Sequence, residues 1–288
     1  MLKLILALIL SLAGVLVLGP RVIPVLRKLK FGQTVYELGP QSHKTKQGTP
    51  TMGGLMFVLT TCLAAAVFTG RWYGQWDFTL ALIGVSLLTM LVGFVDDYIK
   101  VVKKRNLGLI WWQKVVAQVV ISLAFSWYCY KHPMIGSSAW GLIAVFVTLA
   151  GASVLTPETM GNYQHLAIFA MALAGGCMGF LRFNHYPALV FMGDTGSMFI
   201  GGAMVGMSML LRMPIYWLLI CFTMFASSMS VIIQRIYFKA THGKRIFKMS
   251  PIHHHFELSG MTEQQIVAMY SIVEGLLCLI SLFSLPLN

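Results

Sequence analysis

Between Leu4 and Leu18 the chain carries no charged side chain, and its single hydroxyl is Ser11. A run like this is at home in lipid. There the backbone must satisfy its own hydrogen bonds, so about 20 apolar residues cross the hydrocarbon layer as a helix. Comparable runs predict spans at 3–26, 52–70, 78–95, 112–130, 138–156, 165–182, 196–211, 215–234 and 265–285. The first is not a cleaved signal peptide, because only Lys3 precedes it and no small-residue cleavage site follows. Charged residues are 10% of the 288, against about 25% in soluble domains, and 57% are hydrophobic. That excludes an ordinary cytosolic enzyme and a disordered chain. The predicted fold is an all-α polytopic membrane bundle, one transmembrane domain over 1–288.

Lys and Arg outnumber Asp and Glu by 21 to nine. In so apolar a chain this excess marks cytoplasmic loops rather than nucleic-acid binding. Basic residues collect at Arg21–Lys46, Lys100–Arg105 and Arg235–Lys248, which puts those loops inside and the N-terminus outside. Crossings counted from the two ends then disagree. From the N-terminus, Thr156–Gln164 falls inside; from the basic loop at 235–264, it falls outside. One crossing is missing between about 138 and 164. Cys62, Cys129, Cys177, Cys221 and Cys278 lie in or beside apolar runs without ligand spacing and read as small buried hydrophobes.

Four constellations carry candidate chemistry. In Gly93–Lys100, adjacent Asp96 and Asp97 end a span; like charges side by side invite a cation or a shared proton. Interfacial solvation, with Asp96 paired to Lys100 at i,i+4, explains them equally well. In Phe191–Ser197, glycines flank Asp194 at a helix start, where backbone N–H groups favour phosphate and Asp194 could ligate a metal; plain N-capping by Asp194 or Thr195 is the alternative. Pro251–Glu257 holds His253, His254 and His255. Consecutive residues on a helix point about 100° apart, so the three do not share a face, and phosphate contact or loop orientation suits them better than zinc. His43–Gly54 combines cations such as Lys46 with hydroxyls such as Thr51 and a glycine pair at a span entrance. It is not a P-loop, and phosphate contact competes with a positive-inside anchor. Gathered at one membrane face, carboxylates, cations and glycine turns suggest metal-assisted phosphoryl transfer.

Gly48–Gly54, Gly93–Asp97, Asn184–Ser197 and Lys239–Glu257 with its His triplet closely resemble the bacterial phospho-N-acetylmuramoyl-pentapeptide transferases. The Pro-Ile-His-His-His-Phe-Glu string separates them from related polyprenyl-phosphate sugar-1-phosphate transferases. The resemblance implies a multi-pass plasma-membrane enzyme of ten helices, both termini outside, commonly a homodimer, with its active site on the cytoplasmic side. It implies transfer of phospho-MurNAc-pentapeptide from UDP-MurNAc-pentapeptide to undecaprenyl phosphate, with Mg²⁺, giving lipid I and UMP. Carried over residue by residue, Asp96 and Asp97 face the lipid phosphate with Asp96 as base, and Asp194 is the Mg²⁺ ligand. Lys46 and His253 contact phosphates, supported by His254 and His255. Thr51, Asn184, Phe191 and Gln234 bind substrate, with Phe191 able to stack on uracil.

One family motif, Asn-x-x-Asn-(Leu/Phe)-Thr-Asp-Gly, is absent; the chain runs Val147–Pro157 in its place. The gap coincides with the failed crossing count, so tens of residues are expected to be missing near 147–157. Attack by the lipid phosphate in one step and a phospho-enzyme on Asp96 or Asp97 both remain open. The competing function class is a lipid or solute carrier; a sibling UDP-sugar transferase is the nearer alternative. Carriers tend to place their charged sites near the midplane, whereas these acids gather at one surface. Glu274, inside the last span, has no assigned role.

Overall fold

A computed structural model describes residues 1–28, 48–69, 76–102, 108–131, 164–211 and 214–284. Every regular element among them is helical. They form two compact units, one drawn from residues 1–211 and one from 214–284. The predicted span 138–156, the Val147–Pro157 stretch and Lys46 lie outside the described residues.

The first unit contains α1 (Leu2–Lys28), α2 (Gly54–Thr69), α3 (Trp76–Val102), α4 (Trp111–Lys131), α5 (Gln164–Asn184) and α6 (Gly193–Leu211). α2 is apolar on all sides and sits at the centre, packed by α1, α5 and α6. Phe57 makes edge contacts with Phe180 of α5 and Phe199 of α6, at centroid distances of 5.7 and 6.1 Å. Where helices come closest, a glycine lies on at least one side. Gly175 and Gly179 meet Leu8, Leu12 and Val15 of α1, and Gly54 meets Gly196. Hydroxyls join the same seams, as in Ser11 to Thr60 at 3.3 Å. α1 carries Pro20 and Pro24, which a bilayer helix accommodates more readily than a soluble one. Its first span, α3, α5 and the last helix of the second unit are each long and apolar enough to cross a membrane.

Helix direction follows from the contacts. Gly93, Thr89 and Leu82 of α3 face Asp194, Gly202 and Gly206 of α6, so the pair is antiparallel. Leu8 and Val15 of α1 face Gly175 and Gly179 of α5, so that pair is parallel. The ends of α1, α3 and α5 and the starts of α2, α4 and α6 therefore share one face. At the other face Phe78 lies 6.5 Å from Tyr128 and 5.8 Å from His165, ring centre to ring centre. Lys131 and Gln164 thus end on the same side, opposite the acids. This decides between the two crossing counts in favour of the one made from the C-terminus.

The second unit holds α7 (Pro214–Ile220), α8 (Phe222–Ala240), α9 (Ile252–Glu257) and α10 (Glu263–Ser284). The predicted span 215–234 is broken at Cys221. A break in lipid frees N–H groups that water cannot reach. Glu274 of α10 answers it: its Oε2 accepts the Thr223 N–H at 3.1 Å. Ser227 and Tyr270 hydroxyls meet at 3.4 Å on the same seam. Of the cysteines, Cys221 is buried, Cys62, Cys129 and Cys177 are half-buried and Cys278 is exposed on α10, so the buried reading holds in full only for Cys221. Glu274→Leu is expected to destabilise this seam by about 1 kcal/mol, while Glu274→Gln keeps an acceptor and melts close to wild type. Thermal unfolding in detergent checks it; equal melting of Leu and Gln variants would remove the carboxylate's role.

Candidate active site

Backbone pairing builds the site floor. Phe191 N–H donates to Pro50 carbonyl at 2.8 Å, and Gly53 and Gly54 N–H groups donate to the Phe191 and Met192 carbonyls at 2.9 and 3.0 Å. The Gly48–Gly54 and Phe191–Ser197 constellations, remote in sequence, thereby become neighbours. Gly193 turns the chain with φ +73°. A Cβ there would strike the Asp97 carboxylate and lie 2.8 Å from the Thr51 hydroxyl. Next to it Met52 holds φ +67° while buried, a strained backbone of the kind that collects at functional sites.

Asp96 and Asp97, at the end of α3, are 0% and 3% exposed, and Asp194, in the first turn of α6, is half-buried. One oxygen from each lies within 4.8 Å of the others, the only such group among the described residues. Asp97 Oδ2 accepts both the N–H and the hydroxyl of Thr195, at 2.9 and 2.7 Å. Asp97 therefore caps α6 from a neighbouring helix. Asp194 lies inside the first turn and is not the N-cap, which leaves its carboxylate for other work.

Two ammoniums enter the cluster. Lys100 Nζ is 2.5 Å from Asp96, 3.1 Å from Asp194 and 3.9 Å from Asp97. The i,i+4 pairing read from sequence is present, but it extends to all three acids. Lys114, in the first turn of α4, is 3.0 Å from Asp96 and 2.8 Å from Asp194. Asp96 Oδ1 also accepts the Leu109 N–H at 2.7 Å. Its Oδ2 touches Lys100 yet makes no aligned hydrogen bond, so a fully buried carboxylate oxygen keeps unused acceptor capacity. Three carboxylates face two ammoniums, leaving one negative charge in excess when all are ionised. This donor set is what a hard divalent cation takes.

Lys114 was not singled out from sequence. The signal existed: a lone lysine inside a predicted span is a functional candidate by default. Thr51 is buried, and its hydroxyl has no hydrogen-bond partner, which leaves it open to a ligand. Phe191 is half-buried, its N–H paired with the carbonyl of Pro50, the residue before Thr51. Asn184 donates to the Val190 carbonyl at 3.0 Å, so part of its amide shapes the 185–190 turn. In the second unit, His254 Nδ1 is 3.2 Å from Glu257, and His253 and His254 rings stand 4.2 Å apart. His255 Nδ1 accepts the Lys248 N–H at 3.1 Å. Gln234 is buried, with both ends of its amide on the backbone at Ile246–Phe247.

Comparison with known proteins agrees with this arrangement. Residues 134–212 match the model for glycosyl transferase family 4, and residues 46–58 match signature 1 of phospho-N-acetylmuramoyl-pentapeptide-transferase. The phospho-N-acetylmuramoyl-pentapeptide-transferase of Acetivibrio thermocellus is 40% identical over 318 aligned positions, covering 97% of this chain and 94% of the relative. That of Clostridium perfringens strain 13 is 39% identical, covering 98% and 99%. That of Heliobacterium modesticaldum is 41% identical, covering 92% of each. Near-complete coverage at this identity, over a bundle that gathers the acids at one membrane face, means that the chain belongs to the bacterial phospho-N-acetylmuramoyl-pentapeptide transferases, a family of multi-pass membrane enzymes.

Proposed function

We propose that the chain transfers phospho-MurNAc-pentapeptide from UDP-MurNAc-pentapeptide to undecaprenyl phosphate on the cytoplasmic side of the plasma membrane, releasing UMP and forming lipid I for peptidoglycan. The observation that carries this is the convergence of Asp96, Asp97, Asp194, Lys100 and Lys114 at one end of an antiparallel helix pair. Carboxylates that hold a cation and ammoniums that meet phosphate are what two approaching anions require.

Mg²⁺ fits the donor set: hard oxygens from two chain segments, with one carboxylate oxygen of Asp96 not aligned to any donor. Asp194 and Asp97 would hold it, and it would supply charge neutralisation for the diphosphate and the departing UMP. Lys100 and Lys114 shield the acids from one another and have reach toward phosphate. Thr51 offers its open hydroxyl, Phe191 a ring for the uracil, and Asn184 and Gln234 whatever amide hydrogens the backbone leaves. Lys46, His253, His254 and His255 complete the phosphate contacts of this proposal. Asp96, the proposed base, is paired with both ammoniums, so deprotonating the lipid phosphate requires those lysines to turn toward the phosphates.

The single-domain reading of 1–288, the homodimer and the shortened stretch near 147–157 belong to the same proposal. Supporting the last, the Acetivibrio alignment spans 318 positions, more than the 288 residues here. Lys131 and Gln164, the nearest described residues on either side of it, lie on one face.

The test is release of UMP from UDP-MurNAc-pentapeptide, with undecaprenyl phosphate and Mg²⁺, using UDP-GlcNAc as control. Release with the pentapeptide substrate alone is expected. Release with UDP-GlcNAc alone favours a sibling transferase, and lipid movement in liposomes without UMP favours a carrier. Chelating the divalent cation with EDTA is expected to abolish release, and adding Mg²⁺ to restore it.

A further inference from the structure

The His triplet sits on a helix that does not hold itself. α9 has six residues, too few to be stable alone. Its N-cap, Pro251, offers no side-chain oxygen. What holds it comes from α8. Ser230 and Gln234, one turn apart, are the two buried side chains of that helix. Gln234 Oε1 accepts the N–H groups of Ile246 and Phe247 at 3.1 and 3.0 Å, and its Nε2 donates to the Phe247 carbonyl at 3.0 Å. Ser230 Oγ accepts the Ile252 N–H at 2.9 Å, the first of α9, while donating to the Ser227 carbonyl at 2.6 Å.

The chain reaches this clamp through a reversal at His242 and Gly243, with φ of +53° and +115°. It then runs back along α8. Phe247 packs edge-on to His255 at 5.8 Å, and Lys248 N–H is bound by His255 Nδ1. Each hydrogen bond made by Gln234 thus lies within two residues of one that orients an imidazole.

We propose that Ser230 and Gln234 are positioning residues, a two-point clamp on α8 that sets the direction of His253, His254 and His255. The value of that direction to catalysis rests on the proposed transferase function; the clamp itself does not. Gln234 shapes the loop with its oxygen, taken twice by backbone N–H groups, and with one amide hydrogen, which leaves a single amide hydrogen for substrate.

The test is amide hydrogen exchange on the full chain in detergent, with kinetics alongside. Gln234→Leu is expected to speed exchange at Ile246 and Phe247 about tenfold, and Ser230→Ala to do so at Ile252, each having lost a buried hydrogen bond. Gln234→Glu keeps an oxygen for both N–H groups but loses the Nε2 donor to the Phe247 carbonyl, so it holds more protection at Ile246 and Phe247 than Gln234→Leu does, and Ser230→Thr keeps the hydroxyl and holds wild-type protection. In UMP release, the Leu and Ala variants lower kcat with little change in KM for the nucleotide substrate. Wild-type exchange in Gln234→Leu and Ser230→Ala overturns the clamp. So does a rise in KM alone with exchange unchanged, which would make Gln234 a nucleoside contact. Exchange needs no turnover, so an inactive wild-type chain would defeat the transferase reading and still leave the clamp decided.

Discussion

Asp97→Asn and Asp194→Asn are each expected to cut UMP release by about 10³-fold, the scale seen when one preorganised electrostatic partner is removed from a charged transition state. The two acids fail for different reasons. Asp97 carries the Thr195 N–H and hydroxyl on one oxygen, a pattern an asparagine carbonyl reproduces. The helix start therefore survives and the melting temperature stays near wild type, while the anionic charge is gone. Asp194 holds Lys100 and Lys114 together at 3.1 and 2.8 Å. Its loss leaves Lys114 leaning on Asp96 alone and Lys100 on Asp96 and, at 3.9 Å, Asp97. The Mg²⁺ concentration needed for half-maximal rate should rise in both variants. UMP release at the wild-type rate in Asp97→Asn, at unchanged Mg²⁺, would end the idea that this cluster is the reaction centre.

Gly93→Ala should be nearly as damaging while altering no charge. A Cβ at Gly93 would meet the backbone carbonyl of Asp194, and no rotamer change relieves a clash with backbone. α3 and α6 must separate at the level of the acids, at a cost of about 1–3 kcal/mol in stability. The displacement falls where positions matter most, and a 1 Å misplacement can cost about 10²-fold in rate. Gly84 on the same helix has open space around it, so Gly84→Ala is the control and should melt and turn over like wild type. Matching melting curves for the two alanine variants would show that the close approach is not required.

Much of this molecule was readable one residue at a time. Apolar length marks a bilayer helix wherever it occurs. Asp96, Asp97 and Asp194 stood out because acids at the edge of lipid are costly and rare. The Asp96–Lys100 pair followed from helical spacing. Lys114 has a local signal, a lone cation in an apolar run, but its partners are acids 18 and 80 positions away, and nothing local records those. The resemblance makes Asn184 and Gln234 ligand contacts, yet one amide hydrogen of Asn184 and most of the Gln234 amide are spent on backbone, a use invisible without knowing how the chain turns. The topology shows the same division. Hydropathy located the described spans, apart from the break at Cys221, but left two incompatible crossing counts. Gly93 against Asp194 and Leu8 against Gly175 removed one of them.

Solvent preference is a property of each short segment, so the strand of residues alone settles that this protein lives in lipid and is helical, while Asp194 falls on either side according to the end from which the crossings are counted. Which acid caps which helix, which lysine neutralises which carboxylate, and on which side Lys131 and Gln164 lie are relations between segments far apart in the chain. Such relations come into being only when glycine seams bring the helices within ångströms of each other, because charge and hydrogen bonding act over distance in space and not along the chain.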